Sequence, residues 1–255
     1  MELLLNKLSN LSYEILGIIL PGFITLILFI LLIVGTGDLL PAFSNDFFPR
    51  LTLRSTSNTL ESIGVRTGVG IAGPAILIAY FIGHLLHWIS RSGKGDDELV
   101  KNNFKRTWLS ITFRVPKHST SYDKNLQPLL DALKPKFHLS PEAEWRQFFS
   151  PAKHYLIRTS NTSLVSVYQN KYTLHRSITT GAALIFWLSI ISMAIGIISA
   201  HFLCVEPRWI PLCFLAVGCL VVTWGFSDSY AYNWKMFGNT IITETYSLLF
   251  GPSTK

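Results

Sequence analysis

The chain predicts an all-α membrane protein: four transmembrane helices with a small, mainly helical cytoplasmic domain built partly on extensions of the last two spans. Three observations carry this. Hydrophobic residues make up 49% of the 255 positions and charged residues only 15%, against about a quarter in ordinary soluble domains. Mean hydropathy is +0.36. The apolar excess falls in discrete runs of membrane-spanning length, two before and two after a polar, basic block.

Residues 1–12 form a leader in which Leu3, Leu4, Leu5 and Leu8 suit a short turn on the membrane surface. Tyr13 to Thr36 follows. After Glu14 it has no charge for over twenty residues, and its apolar run is too long for a secretory signal, so an uncleaved span is expected. Pro21 and Gly22 are expected to kink or locally widen it. Gly37 to Thr67 reads as an external loop, with the aromatic group Phe43, Phe47 and Phe48 and a short helix over residues 57–65. Gly68 to Ile89 is the second span. Gly68, Gly70, Gly73 and Gly83 with Ala72 and Ala79 put small residues on one side, which suits close packing in lipid. His84 and His87 lie three apart at its inner end. They are read as interfacial polar groups beside Trp88 and Arg91, rather than as a metal pair or proton relay.

Residues 91–176 hold 15 Lys or Arg against 7 Asp or Glu, a surplus of eight, whereas the whole chain carries +7. The first external loop has only Arg50, Arg54 and Arg66 as cations. The positive-inside rule therefore places the block and both termini in the cytoplasm. Within it, residues 97–108 fit an amphipathic helix with a basic face, and residues 111–115 an extended stretch. Residues 126–133 fit a short helix stopped by Lys134-Pro135. A further helix is expected to start at Ser140 with Pro141 and Glu142, bury Trp145, Phe148 and Phe149, and end or kink at Pro151.

From Ser160 no breaker precedes the third span, about residues 178–200, so one helix of some forty residues is expected. A short external link, His201 to Pro207, leads to the fourth span, about residues 209–226. Phe226, Tyr230, Trp234, Phe237 and Ile241 then recur at helical spacing, which extends this helix into the cytoplasm. The organisation is thus residues 1–90, an N-terminal span pair; 91–176, the basic domain; 177–227, a span hairpin; and 228–255, a helical extension. Cys204, Cys213 and Cys219 are odd in number and set among apolar residues, so they read as membrane-buried small residues, not a disulfide or metal framework.

No Walker loop, dinucleotide glycine fingerprint, HExxH, paired CxxC or nucleophile elbow is present. Arg114 and His118 are one residue short of the Arg-x4-His spacing of HEPN-type ribonucleases. No enzyme, cofactor or metal is expected, and a catalytic role for His84 and His87 is the least favoured reading. Acids within the spans are confined to their ends, Glu14 and Asp228, which weakens a proton-coupled transporter. The polar positions inside spans are Thr25, Ser189, Ser192 and Thr223. They either line a pore in an oligomer or hydrogen-bond between helices. Lys101, Lys105, Arg106, Trp108, Arg114, Lys117 and Arg158 are the candidate ligand contacts. Cations interleaved with aromatics suit phosphates with stacked bases, but anionic inner-leaflet lipid or a plain positive-inside bias is the favoured reading of the residues alone.

Two spans (residues 15–34 and 69–89), the basic block and a second pair (178–199 and 209–226) that extends into the cytoplasm resemble the layout of small bacterial anti-phage membrane effectors, in particular the membrane effector of Hailong systems. The resemblance rests on layout, not on a motif. It implies a homo-oligomeric ion channel in the bacterial inner membrane, controlled by an oligonucleotide or cyclic nucleotide from a partner nucleotidyltransferase. A non-conducting membrane adaptor that recruits a soluble cytoplasmic partner is the alternative.

Overall fold

A computed structural model describes residues 11, 13–39, 68–91, 121–159, 164–203 and 209–251. These are mostly helical, with no strand among the described residues. A π-helical segment, Glu14–Ile19, leads into α1 (Leu20–Leu39). Then come α2 (Gly68–Arg91), α3 (Gln127–Leu133), α4 (Trp145–Thr159), α5 (Val165–Leu203) and α6 (Ile210–Phe250). Four helical stretches are long and apolar enough to cross a membrane: Glu14–Thr36, Gly73–Ser90, Val165–Ile198 and Ile210–Phe250. This is the pattern of a multi-pass membrane protein. The expected structure over residues 40–67, 97–108 and 111–115 lies outside the described residues.

The described residues fall into two compact units. One comprises 18–39, 68–91, 176–203 and 209–227; the other comprises 13–17, 121–159, 164–175 and 228–251. Both therefore draw on α5 and α6, which are unbroken over 39 and 41 residues.

In the first unit, helices approach closely wherever a side chain is missing. A Cβ on Gly22 would lie 1.8 Å from the Ala79 carbonyl oxygen, and one on Gly83 would lie 2.1 Å from that of Ile18. The same holds between α1 and α5, where a Cβ on Gly181 would meet the Thr25 hydroxyl at 2.1 Å. Small residues are the expected glue here, because lipid chains are as apolar as the helices and water expulsion drives no association. The widening expected around Pro21 is present as the π-helical segment just before it. Proline has no N–H to donate, and its ring crowds the carbonyl four residues back. Not every small residue is used: space around Gly73 is open among the described residues. A small apolar cluster of Leu32, Ile185, Leu212 and Cys219 completes this unit.

The second unit has a core of a different kind. Leu130, Leu133, Phe148, Ala152, Leu156, Val165, Phe237, Ile241 and Ile242 are buried together. Tyr122, Phe137, Trp145, Phe149, Tyr172 and Trp234 pack against them. Phe148 to Leu156 supplies the apolar stripe of α4 at helical spacing. Phe237 and Ile241 are one turn apart on α6, as their periodicity predicts.

Two starts and one stop differ from the sequence expectation. Residues 140–143 form a turn closed by the Ala143 N–H on the Ser140 carbonyl, so α4 begins at Trp145 rather than Ser140. The Gln147 side chain accepts the Glu144 N–H at 3.2 Å, one half of a capping box set four residues later. Pro151 does not end α4, which continues to Thr159; the buried Ala152 and Leu156 beyond it repay the missing bond with packing. Helix α5 starts at Val165, not near Ser160. A carboxylate oxygen of Glu244, on α6, accepts the Leu164 N–H at 2.9 Å and caps this end from a distant part of the chain.

One cation of the basic block is internal. Lys134 is 5% exposed. Its ammonium donates to the Pro141 carbonyl at 2.6 Å and pairs with Asp131 at 3.0 Å. The same bond holds the Asp131 carboxyl below the ordinary carboxylate range. Lys134→Met is expected to leave that carbonyl unpaired and to destabilise this unit by about 1–3 kcal/mol. Denaturant unfolding followed by tryptophan fluorescence reads the change.

Candidate functional site

Of the seven candidate ligand contacts, Lys101, Lys105, Arg106, Trp108, Arg114 and Lys117 lie outside the described residues. Arg158 is described. It stands in the last turn of α4, exposed, with His154 one turn before it and also exposed. Helix α4 is amphipathic, so the stripe that buries Phe148, Ala152 and Leu156 turns His154 and Arg158 to the opposite side. The Arg158 fork can pair with a phosphate or carboxylate in two-point fashion. Lys124, Lys136 and Lys171 are the other exposed cations of the block among the described residues. The Lys136 ammonium lies 5.4 Å above the Phe250 ring and that of Lys171 lies 5.5 Å above Tyr168, both in cation–π range.

The described structure resumes at Ser121, after the six undescribed candidates, and it resumes on a clasp. The Asp123 N–H donates to the Asn239 side-chain oxygen at 2.8 Å, and the Asn239 amide donates back to the Asp123 carboxylate at 2.7 Å. Lys235 pairs with the other carboxylate oxygen. Hydrogen bonds from Lys235 and then Asn239 hold the Asp123 carboxyl below its ordinary range. The Trp234 indole N–H donates to the Ser121 hydroxyl at 3.3 Å, and a Cβ on Gly238 would lie 1.8 Å from the Ser121 carbonyl oxygen. Ser121 and Asp123 are thus pinned to one face of α6. Beside the clasp, the Tyr122 hydroxyl donates to Gln127 at 2.6 Å, and burial raises its pKa. Sequence reasoning missed the clasp because its partners are 116 positions apart. Its trace in the sequence is the polar pair Lys235 and Asn239, one turn apart on an otherwise aromatic stretch of helix.

The four pore candidates are sorted by burial. Ser189 and Thr223 are fully buried, and each hydroxyl donates to a carbonyl of its own helix: Ile185 at 2.8 Å and Cys219 at 2.7 Å. Thr25 is 8% exposed and faces Gly181. Ser192 is half-buried. None of the four is exposed on the single chain. The two histidines of α2 are likewise sorted: the Arg176 guanidinium contacts His87 Nδ1 at 3.2 Å, whereas His84 is exposed beside Tyr80. Arg176, counted in the basic block, thus serves here as a link between α5 and α2. Cys219 is buried and Cys213 exposed; both are free thiols. No group of three His, Cys, Asp or Glu side chains that could hold a metal ion comes together among the described residues. No protein-family model matches the chain, and no curated protein or solved structure matches it either.

Proposed function

We propose that the chain assembles with copies of itself into an ion channel of the bacterial inner membrane. Its basic segment faces the cytoplasm there and binds an anionic, nucleotide-type ligand that biases open against closed. The observation that carries this reading is the continuity of α5 and α6. Each supplies residues both to the unit built on α3 and α4 and to the apolar unit, with no break. A ligand acts by population shift only if its contacts differ between the two states. A helix that runs through both units gives such a difference a direct covalent route to a span. The surplus of eight positive charges over residues 91–176 supports an anionic ligand. The messenger of a partner nucleotidyltransferase and a role in anti-phage defence are part of this proposal and follow from the resemblance of layout.

The test is binding of a fluorescent oligonucleotide to the detergent-solubilised full chain. Binding is expected at low salt and should weaken steeply as salt rises, since neutralised phosphates release counterions. Lys105→Ala with Arg106→Ala is expected to reduce affinity roughly tenfold or more, at about 1 kcal/mol per lost cation contact near a phosphate-bearing surface. Absence of binding at low salt would defeat the ligand half of the proposal. A monomer in detergent with no ion flux in vesicles would defeat the channel half.

A further inference from the structure

Within the apolar window of the second span stand two histidines: His87 contacts Arg176, whereas His84 is exposed. Helix α2 has 24 residues, about 36 Å at 1.5 Å per residue, against a hydrocarbon core of about 30 Å. Its apolar window is Gly73–Ser90. His84 stands seven residues before Arg91, about 10 Å from that end, and so lies inside the window rather than at its edge. Its imidazole is exposed on the single chain, between the outward Phe81 and Leu85 and beside Trp88. The Tyr80 ring, one turn earlier, meets it edge-on at 4.4 Å between centroids.

The opposite side of α2 is taken. Ala79 and Gly83 lie against α1, and Leu86 is buried. His87 is turned to Arg176. The window of α2 is also the least covered of the four, 17% buried against 28% to 33% in the others. Among the described residues, this span therefore has the largest share of its window left uncovered. The outward faces of the other spans differ in kind. Their exposed positions over residues 15–31, 188–198 and 210–225 carry aliphatic or aromatic side chains, glycine, proline or cysteine among the described residues. Ile27, Ile30, Phe214 and Val217 are typical, and such faces are satisfied by lipid.

An imidazole always has a nitrogen that must donate, and in its neutral form a second that accepts. Acyl chains offer neither partner. Ionisable side chains within spans consequently face a bundle interior or a water-filled cavity. The described residues of one chain leave His84 exposed, and further copies are the covering that the oligomeric reading supplies. We infer that the outward face of α2 packs around an aqueous path formed by further copies of this chain, and that Tyr80 and His84 line its wall. This rests on the oligomeric-channel reading and adds the identity of the span that lines the path. It moves the wall from Thr25, Ser189 and Thr223, which are buried in the single chain, and from the half-buried Ser192, to an exposed side chain.

The test uses the full chain with Cys204, Cys213 and Cys219 replaced by alanine, carrying His84→Cys, Tyr80→Cys or Phe214→Cys. Each is reconstituted in vesicles of phosphatidylethanolamine and phosphatidylglycerol. A membrane-impermeant thiol reagent, present on both sides, is expected to label positions 84 and 80 roughly tenfold faster than position 214, which lipid covers, because water-filled cavities admit the charged reagent and acyl chains do not. A short bifunctional thiol cross-linker should join copies through position 84 or 80 and not through 214. Two labelled positions on one turn keep the test valid if one variant fails to fold. Positions 84 and 80 as inert as 214 would overturn the inference. Ion flux of vesicles with the unsubstituted chain, read in parallel, separates the two claims. Flux with an inert α2 overturns this assignment alone. Labelling and cross-linking without flux overturns the channel reading and leaves α2 only as the seam between copies.

Discussion

Gly83→Leu is expected to pull the first two spans apart. A Cβ at this position would lie 2.1 Å from the Ile18 carbonyl oxygen and 2.7 Å from its carbon. Both are backbone atoms, so no side-chain rotation relieves the overlap. The reciprocal contact is equally tight: a Cβ on Gly22 would lie 1.8 Å from the Ala79 oxygen and 2.8 Å from the Gly83 nitrogen. Overfilling a packed interior costs about 1–3 kcal/mol, occasionally more, and an unyielding backbone target puts this change at or above the upper figure. The loss falls on an association that water does not drive, since two helices in lipid are held by close contact alone. Gly22→Leu should act in the same way. The double variant should cost less than the sum, because both changes break one crossing. Gly73→Leu is the control: nothing lies near its Cβ among the described residues, so little change beyond about 0.5 kcal/mol is expected. Thermal unfolding of the detergent-solubilised chain, with limited proteolysis between the first two spans, measures the difference. A Gly83→Leu protein as stable as wild type would show that α1 and α2 do not cross here.

Phe148→Ala is expected to cost about 3–5 kcal/mol, the range for deleting a fully buried aromatic ring. Phe148 is 0% exposed. Its ring meets Phe137 edge-on at 5.4 Å and lies 5.9 Å from Trp145. It sits in one cluster with Leu130 and Leu133 of α3 and Phe237 and Ile241 of α6. Domains of ordinary size are stable by only about 5–15 kcal/mol, so a loss of this size consumes much of the margin of so small a unit. Ile157→Ala, on the exposed side of the same helix, should stay within about 0.5 kcal/mol. Near-ultraviolet circular dichroism and hydrogen exchange over residues 127–159 read both variants. Equal behaviour of the two would mean that α4 is not packed through its aromatic face.

The spans were legible because their signal is local. An uncharged apolar run of twenty residues has one common outcome in a chain of this composition, and the structure has helices over Glu14–Thr36, Gly73–Ser90, Val165–Ile198 and Ile210–Phe250. The long continuations of the last two were legible for the same reason, as neither contains a breaker that acts. The apolar side of α4 was legible from the spacing of Trp145, Phe148 and Phe149. Its ends were not. The start depends on how residues 138–144 turn, with His138 in a left-handed conformation at φ 54°. The passage through Pro151 depends on packing beyond it.

Which polar groups pair was not legible from the sequence. That Lys134 is consumed inside the fold, that Arg176 faces His87, that Glu244 caps α5 and that Asp123 is clasped by Lys235 and Asn239 all depend on elements brought together from 3 to 116 positions apart. The candidate site suffered accordingly. Charge counted along a sequence does not separate a cation that reaches water from one that ties a helix end to the following turn, as Lys134 does. Hydroxyls counted along a span do not reveal which way they point.

Composition and periodicity by themselves determined that this chain is helical and that four of its stretches match the thickness of a bilayer, because hydrophobicity per residue is an additive property. Only the tertiary structure decided which polar groups are already spoken for and which, like His84, are turned outward. A helix has the same periodicity whichever of its faces a neighbour covers, and burial is a property of the neighbour as much as of the residue.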